Sequence, residues 1–70
     1  MNIEELRALY QSEDFQPFEV TLRGGRVFRV ETRDHIWVTP AGTVHLIEGT
    51  DAHRVFDRTR IEVVRYNEKP

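Results

Sequence analysis

Cysteine is missing from this chain, lysine occurs once (Lys69) and serine once (Ser12). The lack of thiols excludes a disulfide framework and any thiolate metal site. The lone serine has no neighbouring base that spacing identifies, so a hydroxyl nucleophile leaves no signature here. No apolar run approaches the ~20 residues of a membrane span. The opening "MNIEELRALY" has neither the basic nor the apolar region of a signal peptide. These absences predict a soluble, cytoplasmic protein with no membrane partner and no cofactor.

An excess of either charge is missing too. The formal net charge is −2 and the pI about 5.9, so the molecule as a whole does not draw in nucleic acid or an anionic membrane. Only local patches could do so. At 70 residues a domain buries only ~60% of the surface its unfolded form exposes. Small domains that lack disulfides and metals often gain the missing burial by oligomerising. The length allows one domain, residues 1–70.

What is present is periodic. Asn2 followed by Glu5 has the spacing of a helix N-cap with a reciprocal glutamate, and Ile3, Leu6, Leu9 and Tyr10 recur on one helical face. A helix over 2–12 is expected, ending before Pro17, which holds Gln16 extended. Beyond it the period changes to two. Phe18, Val20 and Leu22 alternate with polar residues, as do Phe28 and Val30 after Gly24 and Gly25. A two-residue glycine loop would split these apolar side chains between faces. A bulged or odd-length loop gathers them on one side, with Leu22 opposite Phe28 and Val20 opposite Val30. In "HIWVTPAGTVHLIEG" a three-residue turn at Pro40, Ala41 and Gly42 pairs Val38 with Val44 and Ile36 with Leu46. The other face then sets Trp37 opposite His45 and His35 opposite Ile47. A short strand at 54–56, a tight 3₁₀-like turn at "DRT" and a last strand, "RIEVVRY", follow. That last strand alternates Ile61 and Val63 against Glu62, Val64 and Tyr66. Residues 67–70 read as a polar tail. One helix followed by five or six short strands joined by tight turns predicts a mainly β domain. Its expected form is a strongly bent antiparallel barrel over 17–66, with the helix capping one open end.

The chemistry-bearing candidates are few. "LRGGRV" joins strand to strand, which excludes a Walker loop and a Rossmann fingerprint. Arg23 and Arg29 then read as outward partners of Glu19 and Glu31. His35, His45 and His53 lack the close spacing of a zinc site and read as surface or interface residues. A barrel this small has no deep internal pocket, and no enzyme is expected. The outward set Trp37, His45, Ile47 and Val55 forms an exposed apolar patch of the kind that marks contact surfaces. Either a neighbouring subunit or the N-terminal helix would cover it.

Three stretches resemble the Sm-like superfamily, the Sm proteins and bacterial Hfq. "PFEVTLRGG" is similar to its first strand and glycine-ending turn. "ETRDHIWVTP" is similar to its second-to-third strand passage, with Asp34 at the loop aspartate. "VFDRTRIEVV" is similar to its short strand, turn and closing strand. The chain is also similar to short bacterial proteins that bring no activity with them. The Sm-like resemblance implies a homo-oligomeric ring made by pairing of open strand edges. It also implies single-stranded RNA as ligand, with Asp34, His35 and Arg58 nearest the family's sites. His35 and Ile36 replace the family's glutamine–phenylalanine pair. Asp57 and Arg58, or Thr59 and Arg60, stand where the family has lysine and histidine. The expected function is a non-enzymatic homo-oligomeric binding module. The alternative is a protein-interaction or structural subunit without nucleic-acid binding.

Overall fold

The structure, a computed structural model, describes residues 2–66. Helix α1 (Ile3–Gln11) begins where the Asn2 side chain accepts a 2.7 Å hydrogen bond from the Glu4 N–H, satisfying one of the donors a helix start leaves open. Leu6 and Tyr10 are buried, and Ile3 and Leu9 pack beside them, so the apolar face read from spacing is the docked one. Six strands follow: β1 (Phe18–Leu22), β2 (Val27–Val30), β3 (Ile36–Val38), β4 (Thr43–Glu48), β5 (Ala52–Asp57) and β6 (Ile61–Tyr66). Two 3₁₀ turns interrupt them, η1 (Arg33–His35) and η2 (Arg58–Arg60). The polar segment 67–70 lies outside the described residues. Among those residues no helix is long and apolar enough to cross a membrane.

The strands form two antiparallel three-stranded sheets, β2-β1-β6 and β3-β4-β5. The strand content is the expected one, yet among the described residues no ladder joins the sheets into a closed barrel. Residues 31–35 carry the chain between them. There the His35 N–H donates to Thr32 O at 3.1 Å, closing a tight turn that takes His35 out of the strand, so it does not pair with Ile47 as expected.

The second hairpin has the expected register, Val38 opposite Val44, Trp37 opposite His45 and Ile36 opposite Leu46. The first keeps its expected parity but slips by two residues. Val20 faces Phe28 and Phe18 faces Val30, while the Leu22 N–H donates to Arg26 O at 2.8 Å. The cause is a loop confined to residues 23–25, shorter than the 23–27 that a Leu22–Phe28 pairing needs. The Gly25 N–H closes it onto Leu22 O at 2.9 Å, and Gly24 and Gly25 both hold positive φ, +97° and +100°, a region costly for other residues. A slip of two leaves every side chain on its own face.

The last strand departs from simple alternation. Thr21 pairs with Val63 but Leu22 pairs with Ile61, so Glu62 is an extra residue bulging from the ladder. The bulge reverses the parity beyond it. Val63, expected inward with Ile61, is 41% exposed, while Val64 packs against the core in its place.

The inner faces of the two sheets share one core. Phe18, Val20, Leu22 and Phe28 come from one sheet, Ile36, Val44 and Leu46 from the other, and Leu6 and Tyr10 close the end. Trp37 stays outside at 57% exposure.

Candidate functional site

The outer face of the β3-β4-β5 sheet carries the first candidate. Trp37, His45 and Val55 lie side by side across the three strands, and Ile47 is opposite His53. The indole and the His45 ring are 5.2 Å apart between centroids. His45 and His53 stack at 5.3 Å, with His45 Nδ1 3.3 Å from His53 Nε2. Trp37 and Val55 remain 57% and 54% exposed. The four expected residues are therefore neighbours, and His53 joins them. Strand parity explains this: the inward set Ile36, Val38, Val44, Leu46 and Phe56 leaves Trp37, His45, Ile47 and Val55 no other side to occupy.

Helix α1 does not cover this face. It lies along the free edge of β3, where the Tyr10 hydroxyl accepts from the Val38 N–H at 3.2 Å. The Arg7 guanidinium donates to Thr39 O at 3.0 Å. The helix thus satisfies backbone groups that an edge strand otherwise exposes, and the indole stays uncovered.

The residues implied by the Sm-like resemblance occupy two places. Asp34 lines a groove of about 420 Å³ with Tyr10, Gln11, Arg33, Ile36 and Trp37. Beside it in the same 3₁₀ turn, His35 has a buried Nδ1 without a hydrogen-bond partner among the described residues. Arg58 belongs to a separate groove with Asn2, Ile3 and Glu4. Its N–H donates to Gly42 O at 2.8 Å, and its side chain lies 3.0 Å from where a Cβ on Gly42 would stand. Within one chain Arg58 does not meet Asp34 and His35. The preceding Asp57 carboxylate caps η2, accepting from the Thr59 hydroxyl at 2.6 Å and the Thr59 N–H at 2.9 Å. These bonds, with the Arg58 charge adding to them, hold the Asp57 carboxyl below its ordinary pKa. Among the described residues no three His, Asp or Glu side chains gather as a metal site.

A third feature escaped sequence reasoning. Between β2, β5 and η2 lies a groove of about 300 Å³ lined by Arg26, Arg54, Arg60 and His53 over Leu22, Phe28 and Phe56. Its floor is a stacked pair, Phe28 and Phe56, with centroids 6.0 Å apart and planes within 14°. Two guanidiniums sit over the Phe28 ring, Arg26 at 5.2 Å and Arg54 at 5.8 Å, inside cation–π range. The signal is visible in hindsight. The triplet Arg-Val-Phe occurs twice, at 26–28 and 54–56, and the fold lays the two copies against each other. Arg23, read as a solvated partner of Glu19, instead donates from Nε to Thr59 O at 3.1 Å and ties the first hairpin to η2. Arg29 keeps the outward role expected of it, bonded to Glu31 and 4.0 Å from Glu19.

Compared with protein-family models, with curated proteins and with solved structures, the chain finds no match.

Proposed function

We propose that this chain is a non-enzymatic binding module that works as a homo-oligomer, an Sm-like small barrel in which the outer face of β3-β4-β5 meets a neighbouring copy. One observation carries the reading. Trp37 stands 57% exposed in a patch with Val55, Ile47 and two imidazoles, on a domain too small to leave such area uncovered without consequence. Helix α1 is committed to the β3 edge and cannot also cover the indole. The barrel reading draws support from the chain's route. It leaves one sheet through residues 31–35 and returns through η2, where Arg23 N–H donates to Arg60 O at 2.8 Å.

Static light scattering on the full chain tests it. Wild-type protein should have the mass of a closed oligomer, and Trp37→Ala should lower that mass with far-UV circular dichroism unchanged. A monomeric wild type would end the homo-oligomer reading and leave the alternative, the same face meeting a different protein.

Single-stranded RNA is a second reading. The exposed Trp37 indole, which shares a groove with Arg33 and Asp34, favours it, since an open ring face is a stacking surface for a base. Absence of any affinity for short uridine- or adenosine-rich RNA at low salt, where phosphate attraction is strongest, would remove this reading.

A further inference from the structure

The groove between β2, β5 and η2 gathers three of the chain's arginines, Arg26, Arg54 and Arg60, together with His53, and among the described residues its lining carries no carboxylate. The whole molecule carries a net charge of −2, so this concentration runs against the overall balance. Glu48 engages Arg54 from outside the groove, at 3.2 Å. It is a single carboxylate set against three guanidiniums. Arg26 and Arg54 converge on the same phenyl ring although like charges repel. What holds them is the buried Phe28–Phe56 stack, which joins the free edge of one sheet to that of the other and gives the groove a rigid floor.

From this geometry we infer that the groove is an anion site that takes a phosphate group. Guanidinium is the side chain best shaped for phosphate, through parallel N–H donors. The apolar floor lowers the local dielectric and lengthens the reach of each charge. Phe28 and Phe56 are 3% and 7% exposed, so they offer no open ring for a base. Recognition rests on the phosphate. The phosphate can belong to a single-stranded nucleic acid or to a small free anion. Where it belongs to RNA, the inference deepens the RNA reading above and moves its main contact away from Asp34 and His35. His53 and Val55 of the groove wall also belong to the proposed contact face, so the inference rests on Arg26, Arg54 and Arg60 and not on the oligomer.

The test uses full-length protein and two probes at low salt, a fluorescently labelled oligouridine and inorganic phosphate. The wild type should bind at least one of them. Arg26→Glu and Arg60→Glu should each weaken binding by about tenfold or more, the scale of one charged hydrogen bond. For oligouridine, each milder arginine-to-alanine change should also reduce the salt slope by about 1. Arg29→Glu, on β2 but on the outer face of its sheet, opposite Glu19, makes the same change in net charge and should leave binding near wild type. Circular dichroism of each variant shows whether it is folded, and the alanine variants supply the measurement if a glutamate variant is not. Binding of phosphate alone identifies a small-anion site. Binding of oligouridine alone identifies a nucleic-acid backbone site. Either result supports the inference. No binding of either probe would overturn it, as would a loss in Arg29→Glu equal to that in Arg26→Glu. If binding is lost in the Asp34 or His35 alanine variants and retained in the arginine variants, the RNA reading survives and this inference fails.

Discussion

The two sheets have matching insides and unlike outsides. Inward, both present valine, leucine, isoleucine and phenylalanine to one core. Outward, the β2-β1-β6 sheet carries Glu19 between Arg29 and Arg65, with Thr21 between Val27 and Val63. The β3-β4-β5 sheet carries Trp37, His45 and Val55 in one row and Ile47 beside His53 in the next. The first pattern is that of a solvated face, where opposite charges sit across strands and contribute little each. The second puts the chain's only tryptophan at a position where folding does not need it. Since the core is complete without Trp37, folding alone does not account for the difference between the two faces, and the proposed contact with a neighbouring copy would.

The strongest challenge to this comparison is to the shared core. Phe18 and Leu46, one from each sheet, are fully buried. Phe18→Ala should cost about 3–5 kcal/mol and Leu46→Ala about 2–5 kcal/mol. A domain of this length commands only roughly 4–10 kcal/mol in total, on the usual scale per residue. Each substitution should shift the whole unfolding transition, with circular dichroism and Trp37 fluorescence moving together. If Phe18→Ala left the fluorescence transition of Trp37 in place, the sheets would be independent units and the comparison between them would lose its frame.

The outer faces can be set against each other with one pair of substitutions. Val55 and Val63 are both exposed valines in strands, 54% and 41%, one on each sheet. Lysine at either position should change monomer stability by no more than about 0.5 kcal/mol. Val55→Lys should nonetheless lower the oligomer mass in light scattering, while Val63→Lys should not. Equal effects would mean that the contrast between the faces has no bearing on assembly.

Much of this arrangement was legible beforehand, and the places where it was not share a cause. Pro40, Ala41 and Gly42 permit one short turn, so the register of Trp37 opposite His45 followed from parity alone. The first hairpin has two adjacent glycines, each able to take positive φ, so parity was readable but register was not. In β6 the alternation of Ile61 and Val63 pointed to a regular strand. The bulge at Glu62 has no local marker, because it is imposed by the ladder to Thr21 and Leu22. The Arg-Val-Phe groove was invisible for a related reason. Residues 26–28 and 54–56 meet only because two sheet edges come together, a juxtaposition that strand periodicity does not encode.

The weakest of these effects lies where β5 passes into β6, at the junction of the sheets. Asp57 ends β5 and caps η2, and its carboxyl is held below its ordinary pKa chiefly by the Thr59 hydroxyl, then by the Thr59 N–H. A carboxyl whose folded pKa is depressed adds stability that is fully present above its unfolded value, about 4. That stability is lost as pH falls through the depressed folded value. The acid limb of a stability profile should therefore contain a contribution from Asp57, and Asp57→Asn should flatten that limb, its deficit against wild type being largest above pH ~5 and vanishing as pH falls through the depressed folded value. The group is fully exposed, so the change should be slight and should shrink further in high salt. Because η2 carries the chain from β5 of one sheet to β6 of the other and its Arg60 O holds the Arg23 N–H, loosening it should also raise hydrogen exchange at the Arg23 amide before that at Trp37. Equal exchange at both would place the weak point within the sheets themselves, not at their junction.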